Sequence, residues 1–241
     1  IGAATIKHLQ KDAYNVYGTT RNAQNNNKNL LYLDLSGPSY NIDFSKYGCV
    51  IICAGVTDIA LCESEPEICE RINSIRTIEL IDRCVRDNAF VIFLSSNAVF
   101  DGKKSFYKNT DTTNPTTKYG ELKLSVEKYI QALPSKTACV LRLTKVITDS
   151  TPFVQNWRNA AKNGGKIKAF DNRLISPVSI EDVVDSIELL VKHKDSGLFQ
   201  VGGSEEISFY DYAKKIFSSE QETLSKIVAT QAPLTEAKMT H

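Results

Sequence analysis

Short, nearly continuous apolar runs punctuate the chain: Cys49-Val50-Ile51-Ile52-Cys53, Phe90-Val91-Ile92-Phe93-Leu94, Ala138-Cys139-Val140-Leu141-Arg142-Leu143 and Leu198-Phe199-Gln200-Val201. Each ends in small or polar residues, and each is rich in β-branched and aromatic side chains, the signature of a strand buried on both faces. Weaker strand patterns cover Val16–Thr20, ended by Arg21, and Leu30–Leu33, closed by Asp34-Leu35-Ser36-Gly37-Pro38. Between the runs the apolar spacing changes to three or four residues. Ile6, Leu9 and Ala13 share one helical face, and Ile68, Ile72, Ile75, Ile78 and Ile81 or Val85 predict a helix over Glu65–Val85. A further helix spans Tyr119–Ala132. The polar stretch Asn22–Asn29 reads as a loop with local disorder. Strands alternating with helices predict βαβ units in a doubly wound α/β domain built on a parallel sheet.

Beyond Thr144 the rhythm changes. Phe153–Ala161 reads as a short helix, Asn163-Gly164-Gly165 as a turn and Ile167–Phe170 as a short strand. Ser179 caps a helix with Glu181 and Asp182 in its first turn, where acids complement the helix dipole, and Val183, Val184, Ile187, Leu190 and Val191 face inward. Another capped helix starts at Ile207–Ala213. With no internal repeat and no long linker, the second half is expected to be a smaller lobe leaning on the sheet.

The candidate chemistry lies on the Phe90–Leu94 strand and the helix after it. In open α/β sheets ligands collect outside the carboxyl ends of the strands, where Ser95-Ser96-Asn97 falls. Tyr119 and Lys123 are four residues apart and share a helix face. A hydroxyl at a strand end with a phenol and an ammonium beside it makes a proton-transfer set. A free phenol titrates at about pH 10, and the neighbouring ammonium is expected to stabilise the phenolate and lower that value. The competing reading is a tyrosine and a lysine on an ordinary amphipathic helix.

Composition narrows the classes. In 241 residues, 42% are hydrophobic and 24% charged, with a net charge of +1, the balance of an ordinary globular protein. Nothing in it points to nucleic acid or membrane as a partner. No apolar run approaches the roughly 18–20 residues of a membrane span, and no signal-peptide pattern opens the chain. Cys49, Cys53, Cys62, Cys69, Cys84 and Cys139 show no Cys-x-x-Cys spacing, which suits reduced core thiols in a cytoplasmic protein. With His8, His193 and His241 as the histidines, no histidine-built metal site is expected. The sequence opens at Ile1, as if inside a helix already under way, so a preceding segment is expected.

These landmarks, in this order, resemble the extended short-chain dehydrogenase/reductase superfamily, and within it the dTDP-4-dehydrorhamnose reductase-like group. Five pieces carry the resemblance: Ile1-Gly2-Ala3-Ala4, similar to the tail of a Gly-x-x-Gly-x-x-Gly turn; Cys53-Ala54-Gly55 with Glu63-Ser64-Glu65-Pro66-Glu67 and Asn73; Ser95 through Gly102; Tyr119-x-x-x-Lys123; and Ser176 through Val183 with Gly197 through Gly203 behind it. Together they span almost the whole chain. The resemblance implies a Rossmann-like sheet, with a dinucleotide-binding domain over 1–145 and a substrate lobe over 146–241 whose residues 197–203 return to the main sheet. It further implies a first strand and two glycines ahead of Ile1, and a continuation beyond Ala232-Pro233-Leu234. Where the rhamnose-forming reductases carry Ser-Trp-Val near the sugar, this chain reads Thr144-Lys145-Val146.

The resemblance assigns roles residue by residue. Tyr119 is the proton donor, Lys123 tunes it and holds the nicotinamide ribose, and Ser96 hydrogen-bonds the substrate carbonyl. The cofactor site comprises Gly2, Arg21, Asp34, Leu35, Cys53, Ala54, Gly55, Asn73, Ser95, Tyr119 and Lys123. Ser95 serves the turn; Asn73 either braces the site or makes a plain helix-to-strand hydrogen bond; Asp34 flanks the adenine or caps locally. Arg21 stands where NAD binders carry an acid, so NADP(H) is favoured and NAD(H) kept as the alternative. Substrate contacts fall to Ser96, Asn97, Lys145 and Arg173. Arg173 is singled out of the basic set Arg158, Lys162, Lys166, Lys168 and Arg173 because arginine clamps phosphate bidentately. Phe153 and Trp157 are expected in the core rather than stacked on a base. The implied activity is reduction of a keto group on a nucleotide-activated sugar, for cell-surface polysaccharide precursors. An epimerase or dehydratase on the same residues, or a non-catalytic NADP-binding regulatory subunit, is the alternative, and a homodimer is left open.

Overall fold

The computed structural model describes residues 1–12, 14–25, 29–37 and 41–232. Ala13, the middle of the Asn-rich loop, Pro38, Pro233, Leu234 and His241, named above, lie outside that set. The first half runs α1 (Gly2–Lys11), β1 (Gly18–Thr20), β2 (Leu30–Tyr32), β3 (Cys49–Ile52), α2 (Ile59–Ser64), α3 (Pro66–Glu70), a π-helical segment Arg71–Arg76, α4 (Thr77–Arg86), β4 (Phe90–Ser96), α5 (Lys118–Gln131) and β5 (Ala138–Leu143). The second half runs β6 (Lys145–Val146), α6 (Pro152–Lys162), β7 (Ile167–Phe170), β8 (Leu174–Ile175), β9 (Pro177–Val178), α7 (Ile180–His193), β10 (Gly197–Val201), β11 (Ile207–Ser208), α8 (Phe209–Ile216), α9 (Gln221–Leu224) and β12 (Ile227–Thr230).

The central sheet has the order β10-β5-β4-β3, parallel throughout, and β1 pairs with β2 in a separate parallel ribbon. β4 sits inside this sheet, with Val91, Ile92 and Phe93 fully buried. Successive strand residues point to opposite faces. Val91 and Phe93 therefore join Leu80 and Ile81 of α4 and Val126 and Ile130 of α5. Phe90, Ile92 and Leu94 join Val183, Ile187 and Leu190 of α7 on the other side. Helices on both faces explain why β4 reads as an unbroken apolar run rather than an alternating one.

The helix expected over Glu65–Val85 differs from a single α-helix. Helical structure begins at Ile59, breaks at Glu65 (φ −127°, ψ 60°) before Pro66, and passes through the π-helical segment. π winding takes more residues per turn, so a projection at 3.6 loses phase across it. Ile68 and Ile75 are consequently 56% and 51% exposed, while Cys69, Asn73, Ser74, Leu80, Ile81 and Cys84 are buried.

The second half holds its own core of Trp157, Ile167, Ala169, Ile175, Phe209, Ala213, Phe217 and Ile227. Phe153, Trp157 and Phe209 meet edge to face, with centroids 4.9–6.3 Å apart, and the Trp157 indole donates to the Lys168 carbonyl. After α7 the chain returns as β10 to pair with β5. On the far side of the sheet, His8 of α1 lies 2.9 Å from Glu188 and 3.5 Å from Asp185, both of α7, and 3.9 Å from its own Asp12. All six cysteines are free thiols. Among the described residues no helix is long and apolar enough to cross a membrane.

Candidate active site

At the carboxyl end of β4 the chain turns at once. Ser96 keeps extended geometry, and its hydroxyl accepts from the Ala98 N–H at 3.2 Å, capping a single 3-10 turn over Asn97–Val99. The start of α5 packs directly on that turn. A Cβ on Gly120 would stand 2.1 Å from the Ala98 carbonyl oxygen, so glycine alone permits the approach. Thr117 caps α5 by accepting from the Gly120 N–H at 3.1 Å. The glycine contact and the cap together bring Tyr119 beside Ser96.

Tyr119 is 9% exposed. Burial pushes its phenol up to about 12, the Cys62 thiol adds to the rise, and the Ser96 hydroxyl acts in the opposite direction. In the chain by itself burial outweighs the lowering expected from the sequence. The Lys123 ammonium donates to the Leu94 carbonyl at 2.9 Å and sits 4.6 Å from the Phe93 ring centroid and 5.8 Å from that of Tyr119. Its hydrogen bond goes to the strand carbonyl, with the Tyr119 ring on the same helix face. Burial in turn draws Lys123 down to about 8, resisted by Cys53, Glu127 and Cys62.

The loop after β3 adjoins this pair. Cys53, Ala54 and Gly55 are exposed, Gly55 adopts φ +157°, and a Cβ there would lie 3.1 Å from Asn73 Oδ1 and 3.9 Å from Lys123 Nζ. A Cβ added at Gly2, which opens α1, would come within ordinary contact of Cys53, so the start of this helix lies beside the loop. Arg21 follows β1 and Asp34 follows β2, close enough for the arginine to help lower the Asp34 carboxyl, after the stronger effect of Ser36.

Three residues expected at the cofactor surface are buried in the structure. Asn73 is 2% exposed and turns both ends of its amide to the Val56 main chain, at 2.7 and 2.8 Å, so it holds the loop. Ser95 is buried and donates to Glu127 Oε1 at 2.5 Å. Leu35 is 4% exposed and packed with Leu33 and Phe44. Asp34 accepts from the N–H and the hydroxyl of Ser36, the local capping role.

Lys145 and Arg173 come together from different elements. The register Ser96↔Leu143 sets Lys145 two residues beyond the strand partner of Ser96. Lys145 is exposed by area yet crowded enough for desolvation to lower its ammonium, and the Arg173 charge lowers it further. Arg173 lies 5.6 and 5.8 Å from the rings of Phe170 and Phe209. Asn97 is half-buried, 3.4 Å from the Ser96 hydroxyl.

Sequence reasoning passed over one buried group. Glu127 is fully buried, and Arg142 on β5 is 2% exposed; Arg142 donates to its carboxylate at 2.6, 3.0 and 3.2 Å. Two signals were available: a lone arginine in an apolar strand demands a partner, and Glu127 continues the Tyr119–Lys123 face by one more turn.

Among known proteins, the probable low-salt glycan biosynthesis reductase Agl14 of Haloferax volcanii is 28% identical over 184 residues, covering 73% of this chain. The chain thus spans 59% of that relative's length. The solved dTDP-4-dehydrorhamnose reductase of Yersinia enterocolitica superposes with a TM-score of 0.81 at 27% identity, over 95% of this chain and 80% of its own. The Bacillus anthracis dTDP-4-dehydrorhamnose reductase in complex with NADP gives 0.81 at 19% identity, over 96% and 80%. The fold is accordingly the Rossmann-like one of these reductases. Residues 1–239 match the family described as RmlD substrate binding domain, and the chain belongs to that family.

Proposed function

We propose that the chain carries the reaction centre of an NADP(H)-dependent reductase acting on a keto group of a nucleotide-activated sugar. The observation that carries this reading is the convergence of Ser96, Tyr119 and Lys123 at the carboxyl end of β4, produced by the close contact of Gly120 with the Ala98 carbonyl. The names of the relatives point the same way.

When bound, the nicotinamide cofactor supplies the hydride. Ser96 donates a hydrogen bond to the substrate carbonyl oxygen, and Tyr119 gives that oxygen its proton as it becomes a hydroxyl. A phenol raised to about 12 stays protonated at neutral pH, which suits a donor. The Lys123 ammonium stabilises the phenolate left behind, and Tyr119 recovers its proton from water. The exposed backbone of Cys53-Ala54-Gly55, the first turn of α1 at Gly2, and Lys123 are the groups that fit a dinucleotide. Arg21, exposed beyond β1, supports NADP(H) over NAD(H). Lys145 and Arg173 are the cations we assign to the sugar-nucleotide side, with Asn97 nearer the carbonyl. The division into 1–145 and 146–241, a cytoplasmic setting and a homodimer belong to the same proposal.

The test is Tyr119→Phe in the full-length protein, assayed as NADPH oxidation against keto-sugar nucleotides. We expect turnover to fall by about 10²–10⁴-fold with the melting temperature unchanged; turnover equal to the parent's overturns the reading.

A further inference from the structure

Glu127 and Arg142 form a fully buried ion pair directly beneath the reaction centre. Three charge-assisted bonds run from Arg142 to the Glu127 carboxylate, and the guanidinium also donates to the Asn109 carbonyl at 3.3 Å and lies 4.9 Å from the Phe100 ring centroid. Ser95, next to the carbonyl-binding Ser96, donates to the same carboxylate. Three pieces of chain therefore meet at one carboxylate, the end of β4 through Ser95, the end of β5 through Arg142 and the third turn of α5 that carries it, and the loop with Asn109 joins them through the Arg142 guanidinium. A buried ion pair contributes little net stability, because desolvating two charges offsets their attraction. Its use here is better sought in what it holds in place.

Glu127 follows Lys123 by four residues, so the two side chains share one face of α5. Around Lys123 the titratable groups from the packed elements are Tyr119 and Glu127 of α5, Cys53 after β3, and Cys62 of α2. Burial raises Cys62 and Tyr119 to about 12. Cys53, exposed by area but ringed by protein on its other sides, is raised to about 11. At neutral pH these three are uncharged, and Glu127, held by Arg142, is the one anion in the set.

We propose that Glu127, clamped by Arg142, is a positioning residue for the reductase centre: its carboxylate keeps the buried Lys123 as an ammonium and ties the Ser95–Ser96 strand end to the Tyr119–Lys123 face of α5. This rests on the reductase reading above, through the demand that Lys123 be charged. Neither residue touches substrate.

The experiment is Glu127→Gln in the full-length protein, with two readouts. Lysine side-chain carbon NMR follows the titration of Lys123, which needs neither cofactor nor substrate. The pH profile of kcat and KM follows the reaction. Removing the negative neighbour lowers the affinity of Lys123 for its proton, so its midpoint is expected to move below the parent's, which lies near 8. The alkaline limb of kcat should shift down with it, with kcat falling roughly 10-fold or more and KM for the sugar nucleotide staying within about threefold. Glu127→Asp should restore part of both.

If Glu127→Gln does not fold, the double change Glu127→Gln with Arg142→Gln leaves no unpaired buried charge and carries the same readouts. An unmoved Lys123 midpoint with kcat within twofold of the parent overturns the proposal. If the parent protein reduces no keto sugar, the reductase reading fails by itself, and the Lys123 titration still decides whether Glu127 holds the ammonium.

Discussion

Lys123 holds an ammonium where almost no water reaches, and that cost should be measurable. Its proton affinity is drawn from 10.5 to about 8, so below pH 8 the folded protein carries a penalty of about 3 kcal/mol relative to a solvated lysine. Between pH 8 and 10.5 the unfolded chain binds the extra proton, and stability recovers as pH rises. Lys123→Met is therefore expected to raise unfolding free energy at pH 7 by about 1–3 kcal/mol, after allowing for the orphaned Leu94 carbonyl. The gain should vanish near pH 10.5, and turnover should be lost; urea titrations of both proteins at the two pH values give the answer. Residues of this kind were readable in sequence when their partners are local: Tyr119 and Lys123 lie one turn apart, and Ser96 ends an obvious strand. The destinations of Ser95, Asn73 and Leu35 were not readable, because each depends on a partner set by tertiary packing, namely Glu127, Val56 and the core around Phe44.

Elements meet at two places where substitution should be costly. Gly120→Ala places a methyl against the Ala98 carbonyl, which must be displaced by the start of α5 moving off the 3-10 turn. We expect a loss of stability on the order of 3 kcal/mol, with a larger proportional loss of kcat than of cofactor binding, checked by thermal melts and single-turnover kinetics. Glu127→Ala strands the Arg142 guanidinium in the interior and is expected to cost about 3–5 kcal/mol, whereas replacing both partners by apolar residues should recover most of it, as denaturant midpoints would show. Strands and helices with uniform periodicity were legible in the sequence, β4 and α7 above all. The α2–α4 region was not, since a break at Glu65 and a π-helical segment shift which residues face inward, and no local pattern announces either.

On the scale of the whole molecule, the α/β rhythm declared the class, and four parallel strands with helices on both faces bear it out. The pairing order was beyond the sequence, because strand adjacency is a property of the finished sheet. Leu61, Ile68 and Ile75, on α2, α3 and the π-helical segment, are 43%, 56% and 51% exposed, and the homodimer left open above would cover Ile68 and Ile75. Ile68→Glu with Ile75→Glu should leave the melting temperature within about 2 °C, since neither side chain is in the core, and should convert dimer to monomer in sedimentation velocity; an unchanged sedimentation coefficient would sink that part of the proposal. The placement of β10 against β5 has a consequence during synthesis. β10 is translated only after the segment between Leu143 and Gly197, roughly 3–10 s behind β5 at typical ribosome speeds. Throughout that interval β3, β4 and β5 can pair, but the outer edge of β5 has no neighbour, and an unpaired parallel edge invites other chains. A ribosome stalled within that segment would therefore release the species most prone to aggregate: one with β3, β4 and β5 assembled and its sheet still open.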